Sequence, residues 1–99
     1  MKFNVQNLIN DNNNAAANQF VIRTKKATYF QSYDSVVCKI QNGKVIVSDY
    51  WDYSNTTRKH LYIFLRDYGY SRYCSAKDMR EAIKNGWVTL KKVSSLDIA

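Results

Sequence analysis

Ninety-nine residues carrying 45% hydrophobic and 14% aromatic side chains, with a formal net charge of +7, fit one domain, 1–99, that buries one core, and they argue against global disorder. No apolar run approaches bilayer length, and "MKFNVQNLINDNNN" lacks the apolar stretch and small-residue cleavage site of a secretory leader, so a non-membrane, cytoplasmic chain is expected. Two cysteines, Cys38 and Cys74, make no disulfide framework and fit a reduced compartment.

Residues 1–19 are rich in asparagine. Val5, Leu8 and Ile9 sit at helical spacing, which predicts a short helix near residues 3–10. "NDNNNAAAN" then reads as a loop, because Asn side chains compete for backbone hydrogen bonds. From Phe20, "FVIRTKKATYFQSY" is β-branched and aromatic and predicts one bent strand or two. Lys26-Ala27 is weak turn chemistry and leaves that choice open.

The plainest hairpin follows. "VVCKIQ" and "KVIVSDYW" flank Asn42-Gly43, a pair that tolerates positive φ at both central positions of a two-residue turn. That turn pairs Gln41 with Lys44, Ile40 with Val45 and Cys38 with Val47. It predicts Val36, Cys38, Ile40, Val45, Val47 and Trp51 on the apolar face, with Lys39, Gln41, Lys44, Ile46 and Ser48 on the other.

"SNTT" supplies capping oxygens from Ser54, Asn55 or Thr56 before a helix over 56–68, whose stripe is Thr57, Leu61, Phe64, Leu65 and Tyr68. Gly69 ends it. Ser75 and Asp78 open a second helix over 76–85, with Met79, Ala82 and Ile83 inward and Gly86 beyond its end. "WVTLKKV" reads as a last strand and "SSLDIA" as a tail. The expected fold is α+β: an antiparallel sheet of three to five strands with both helices packed on one face. A winged helix is the runner-up, disfavoured by the long loop between its two helices.

Charge is uneven: residues 1–57 hold six basic and four acidic groups (+2), and residues 58–99 hold nine and four (+5). A basic half suits an anionic partner, although solubility alone is a sufficient reason for it. On the first helix Arg58, Lys59, Tyr62 and Arg66 lie away from the apolar stripe; on the second, Lys77, Arg80 and Lys84 recur at i, i+3 and i+7. Between them "YGYSRYCS" adds Tyr70, Arg72 and Tyr73. Arginine forks hold phosphates and tyrosines stack on bases, and the same residue types anchor protein interfaces. These ten residues are the candidate partner-binding surface.

His60 stands near Asp52, Ser54, Thr56 and Thr57, the residue types of a hydrolytic site. No glycine-rich elbow accompanies them, and the hydroxyls have sufficient work as caps. Cys38, Cys74 and His60 lack metal-ligand spacing. No catalytic residue, metal or cofactor is assigned.

"SYDSVV" (32–37) and "YSNTTRKHLYIFL" (53–65) resemble a family of small uncharacterised phage and plasmid proteins of Gram-positive bacteria, with S-Y-x-T-x-V and Y-S-x-T-T-x-x-H motifs. The resemblance covers about residues 29–66, with Ser35 where threonine is usual. Ser32, Tyr33, Tyr53, Ser54, Thr56, Thr57 and His60 match it, and the expected roles are structural: the hydroxyls cap a helix and tie it to a strand, while Tyr33, Tyr53 and His60 fill the strand–helix junction. The resemblance implies a mobile-element setting. With the basic surface, it leads to the expectation of a non-enzymatic protein that binds a host protein or nucleoprotein complex, such as an anti-CRISPR-type counter-defence inhibitor. The alternative is a small nucleic-acid-binding protein or regulator.

Overall fold

The computed structural model describes residues 3–96. Six strands lie in one sheet in chain order: β1 (Asn4–Ile9), β2 (Ala15–Arg23), β3 (Thr28–Ser32), β4 (Ser35–Gln41), β5 (Lys44–Ser48) and β6 (Val88–Lys91). Helices α1 (Asn55–Asp67) and α2 (Ala76–Lys84) connect β5 to β6. The first five strands form an antiparallel meander, but β5 and β6 run parallel. The fold is α+β as expected, but the sheet is larger than three to five strands and is mixed. The cause is the two-helix crossover, which returns the chain to the end from which β5 set out. That arrangement is not a winged helix.

The predicted N-terminal helix is instead β1. Leu8 is buried, whereas Val5 and Ile9 at the same helical spacing are 57% and 47% exposed. The asparagines decide the outcome: Asn10 Oδ1 accepts from the amides of Asn12 and Asn14, and Asn13 takes φ 62°, closing a hairpin onto β2. The predicted loop therefore ends early, and its Ala15-Ala16-Ala17-Asn18 part belongs to β2. Met1 and Lys2, in the same expected segment, lie outside the described residues.

The strand choice left open after Phe20 resolves into β2 and β3. Thr24 supplies the missing turn chemistry: its hydroxyl accepts from the amides of Lys26 and Ala27 and donates to the Ala27 carbonyl.

The Asn42-Gly43 hairpin has the expected register, with φ 53° and 75° at its two central residues. Val36 does not share the expected apolar face. The β3–β4 ladder slips between Phe30 and Gln31, pairing Phe30 with Cys38 but Gln31 with Val36. The bulge turns both Val37 and Cys38 into the main core and sends Val36 to a smaller cluster with Ile22, Ala27 and Tyr29.

Both helices pack over one sheet face. Leu61, Phe64, Leu65, Met79 and Ala82 join Phe30, Val37, Cys38, Val45, Val47 and Val88 in one buried cluster, with Phe30 and Phe64 rings 5.7 Å apart. Each buried aliphatic side chain there contributes roughly 1.5–3 kcal/mol. Ser54 caps α1 by accepting from the Thr57 amide, and Ser75 caps α2 by accepting from the Asp78 amide. Val93, expected in the last strand, instead opens a 3-10 turn, Val93–Leu96, that lays the start of the expected tail against the sheet; Leu96 is fully buried, and the Val93 amide donates to Asp49 Oδ1. The remainder of that tail, 97–99, lies outside the described residues. No described helix is long and apolar enough to cross a membrane.

Candidate functional site

The outer side of the helical layer gathers most of the predicted cations. On α1, Lys59 and Arg66 are exposed, and Arg58 and Tyr62 are half-buried on the side nearer α2. These four line one open groove of about 440 Å³ with Asp11, Asn55, Ile63, Ser71 and Cys74. On α2, Lys77, Arg80 and Lys84 are all exposed along one row.

Acidic groups already hold part of this surface. Asp52, in the loop before α1, accepts from Arg58 with one oxygen and from Arg80 at 3.0 Å with the other. One carboxylate thus clips the two helices together. Burial would raise the Asp52 pKa, but the hydrogen bonds and positive charges of Arg58 and Arg80 outweigh it and hold the carboxyl below its ordinary range. Arg58 also reaches Asn55, and Arg80 sits 5.8 Å from the centre of the buried Trp51 ring. Arg66 pairs at 2.8 Å with Asp11, at the tip of the β1–β2 hairpin. Among the described residues no carboxylate lies within ion-pair distance of Lys59, Lys77 or Lys84.

The inter-helix loop forms its own unit. Tyr70 and Tyr73 stack with centroids 6.3 Å apart, and Arg72 lies over both rings at 5.4 and 4.9 Å. Tyr73 is buried, so it serves as a platform for Arg72 and as part of the core, not as a contact residue. Tyr62 has a hydroxyl enclosed and without a partner among the described residues. Burial raises its pKa, with the nearby Arg58 and Asp52 charges working in opposite directions.

A second groove, of about 540 Å³, brings together the two segments of the family resemblance. The β3–β4 turn gives Ser32, Tyr33, Asp34 and Ser35; the loop after β5 gives Tyr50 and Tyr53; the first turn of α1 gives Ser54, Thr56 and Thr57; Val37 lies among them. Tyr33 and Tyr53 do not fill a junction: they are 59% and 75% exposed at the groove edge. Tyr33 holds φ 55° at the first position of its turn, where glycine is the easy occupant. Its amide donates to the Asn18 carbonyl at 2.7 Å, and the Gln31 side chain donates to its carbonyl at 2.7 Å. Among the described residues no lysine or arginine lines this groove. The expectation that these segments meet at a strand–helix junction did not foresee that they leave an open groove there.

His60 lies beside, not in, this groove. Its Nδ1 is 2.7 Å from the Thr56 carbonyl, whereas the Thr57 hydroxyl pairs with Ser54 Oγ at 3.0 Å. The three side chains therefore do not form a relay. Cys38 is buried, which drives its thiol pKa far up; Cys74 is exposed and donates to Asp78 at 3.4 Å. Among the described residues no cluster of His, Cys, Asp and Glu is placed to hold a metal.

A family model matches residues 3–81, from the start of β1 into α2. The chain belongs to that family, DUF8033, a family of unknown function. Its match extends well beyond the 29–66 stretch of the motif resemblance and takes in the Asn-rich hairpin, the Asp52 clip and the inter-helix loop. No curated protein and no solved structure matches the chain.

Proposed function

We propose that this DUF8033 member is a non-enzymatic binding protein whose helical layer docks on an anionic region of a host protein or nucleoprotein complex. The observation that carries this reading is the common exposure of Lys59 on α1 with Lys77 and Lys84 on α2, three cations without a carboxylate partner among the described residues, in a chain of net charge +7. Arg66, Arg72 and Arg80 extend the same surface. Each is already held, by Asp11, by two tyrosine rings and by Asp52. Held guanidinium groups lose less side-chain freedom on docking, which favours a shaped interface.

The tyrosine–hydroxyl groove favours a protein surface over bare nucleic acid. Exposed Tyr33, Tyr50 and Tyr53, set among serines and threonines and free of cations, are poor company for a phosphate backbone. Tyrosine with serine is the chemistry that antibody loops use on proteins: rigid amphipathic area beside adaptable hydrogen bonding. The resemblance to mobile-element proteins supplies the setting, with a CRISPR-type effector as the most concrete partner. Direct nucleic-acid binding through the same cations is the second reading.

Affinity capture from a Gram-positive host lysate, with and without nuclease, tests the choice. A defined protein retained after digestion supports the primary reading. Loss of all bound material after digestion overturns it in favour of nucleic acid, whose signature is a log–log salt slope of roughly −0.9 per phosphate neutralised on duplex DNA.

A further inference from the structure

Beyond the helical surface, we propose that β1 is a self-association edge, along which a second copy of this chain adds its own β1 antiparallel. Among the described residues β1 pairs only with β2, so its outer row of amides and carbonyls is open. Soluble proteins guard such rows with charge, proline, shortness or a bulge in the edge strand itself. β1 has none of these guards. Its sequence NVQNLI is uncharged and without proline, in a chain in which 23% of residues are charged. The irregularity in the β1–β2 ladder sets Ala16–Gln19 of β2 against Leu8 alone, so the extra residues lie on β2 and the outer strand runs on without insertion. The opposite edge, β6, is guarded: it is four residues long and ends in Lys91.

The side chains favour the same occupant. Phe3, Val5 and Ile9 are 48%, 57% and 47% exposed, three large apolar groups within one short segment. Their separations of two and four residues place them on one face of the strand. A two-fold axis at Gln6 sets Phe3 opposite Ile9 of the second copy, Val5 opposite Asn7, and Asn4 opposite Leu8. Each apolar end thereby covers the other, and no like charges meet. An interface of this kind is isologous and closes as a dimer, joining two six-stranded sheets into one.

The test uses the full chain at rising concentration in sedimentation equilibrium. The expected result is a monomer–dimer equilibrium that Val5→Lys weakens by about tenfold, since a cation enters the apolar row twice per dimer. Val5 is exposed, and thermal melting checks that the variant stays folded. Register is read by oxidising Gln6→Cys in a Cys74→Ser background. Gln6 meets its own copy at the axis, within the 4.4–6.8 Å Cα span of a disulfide, so a covalent dimer forms. Asn4→Cys in the same background places its thiols about four residues apart along the strands, roughly 13 Å, and stays monomeric. A chain that is monomeric throughout, or a dimer that neither responds to Val5→Lys nor cross-links through Gln6→Cys, overturns the proposal. So does a monomer that binds a foreign strand along β1.

Discussion

Asp52 accepts from Arg80 at 3.0 Å across 28 residues of chain, while its second oxygen holds Arg58, so a single carboxylate joins α1 to α2. Its side chain is 35% exposed, and exposed pairs contribute only about 0.2–1 kcal/mol each. Asp52→Asn is therefore expected to cost about 1 kcal/mol in urea unfolding. It also removes the negative charge beside Arg58 and Arg80 on the proposed binding surface, so affinity for an anionic partner rises while stability falls. The sign with pH follows from a lowered folded pKa: the contribution is complete above the ordinary carboxyl value of 3.8 and disappears as pH falls through the lower folded value. In Asp52→Asn that part of the acid transition is absent.

Tyr62 gives a substitution with the opposite sign. Its hydroxyl is enclosed without a partner among the described residues, and such a group costs about 1–3 kcal/mol. Tyr62→Phe removes it while keeping the ring. Thermal unfolding is expected to show a gain of about 1 kcal/mol. An unchanged or lowered melting temperature contradicts an unpaired hydroxyl.

Ser54 caps α1 and also holds the Thr57 hydroxyl. Ser54→Ala removes the acceptor of the Thr57 amide and leaves a buried threonine hydroxyl without its neighbour. The expected loss is about 1–2 kcal/mol in denaturant unfolding. A loss of only a few tenths contradicts the cap.

The two cysteines separate by burial. Cys74 is exposed and Cys38 buried, so one thiol reacts with an aromatic disulfide reagent in the native protein and two react after denaturation. The Cys74 pKa is raised, mainly by its hydrogen bond to Asp78, which favours the neutral thiol. Asp78→Asn speeds the native reaction at neutral pH by increasing the thiolate fraction. Two fast thiols in the native state contradict the core position of Cys38.

What the residues disclosed in advance was local. Asn42-Gly43 set a hairpin and its register, and the 54–56 run, Ser75 and Gly69 marked helix limits, because each acts through neighbours within a few residues; the choice of Ser54 as the cap comes only from the structure. What stayed hidden depends on distant strands. Val5, Leu8 and Ile9 fit a helix by spacing, and only the Asn10 turn onto β2 decides for a strand. The Val37 bulge is invisible in an unbroken "VVC", since two adjacent apolar residues suit either register. The parallel β6 follows from the path of a two-helix crossover, not from the composition of "WVTLK". The cationic row on α2 was readable from period alone; the Asp11 and Asp52 partners of Arg66, Arg58 and Arg80 were not, because those contacts cross between elements.

Lys59, Lys77 and Lys84, exposed and without a carboxylate partner among the described residues, carry the proposed binding. Lys59→Glu, Lys77→Glu and Lys84→Glu combined in one chain leave the Asp52 clip and both caps untouched, and circular dichroism verifies the fold. Affinity for the nuclease-resistant captured protein, titrated against the wild type over a range of salt concentrations, is the decisive measurement. The expected result is a loss of at least about a hundredfold near physiological salt, shrinking as salt rises and screens the exposed charges. Equal affinity of the folded triple variant and the wild type at low salt contradicts it.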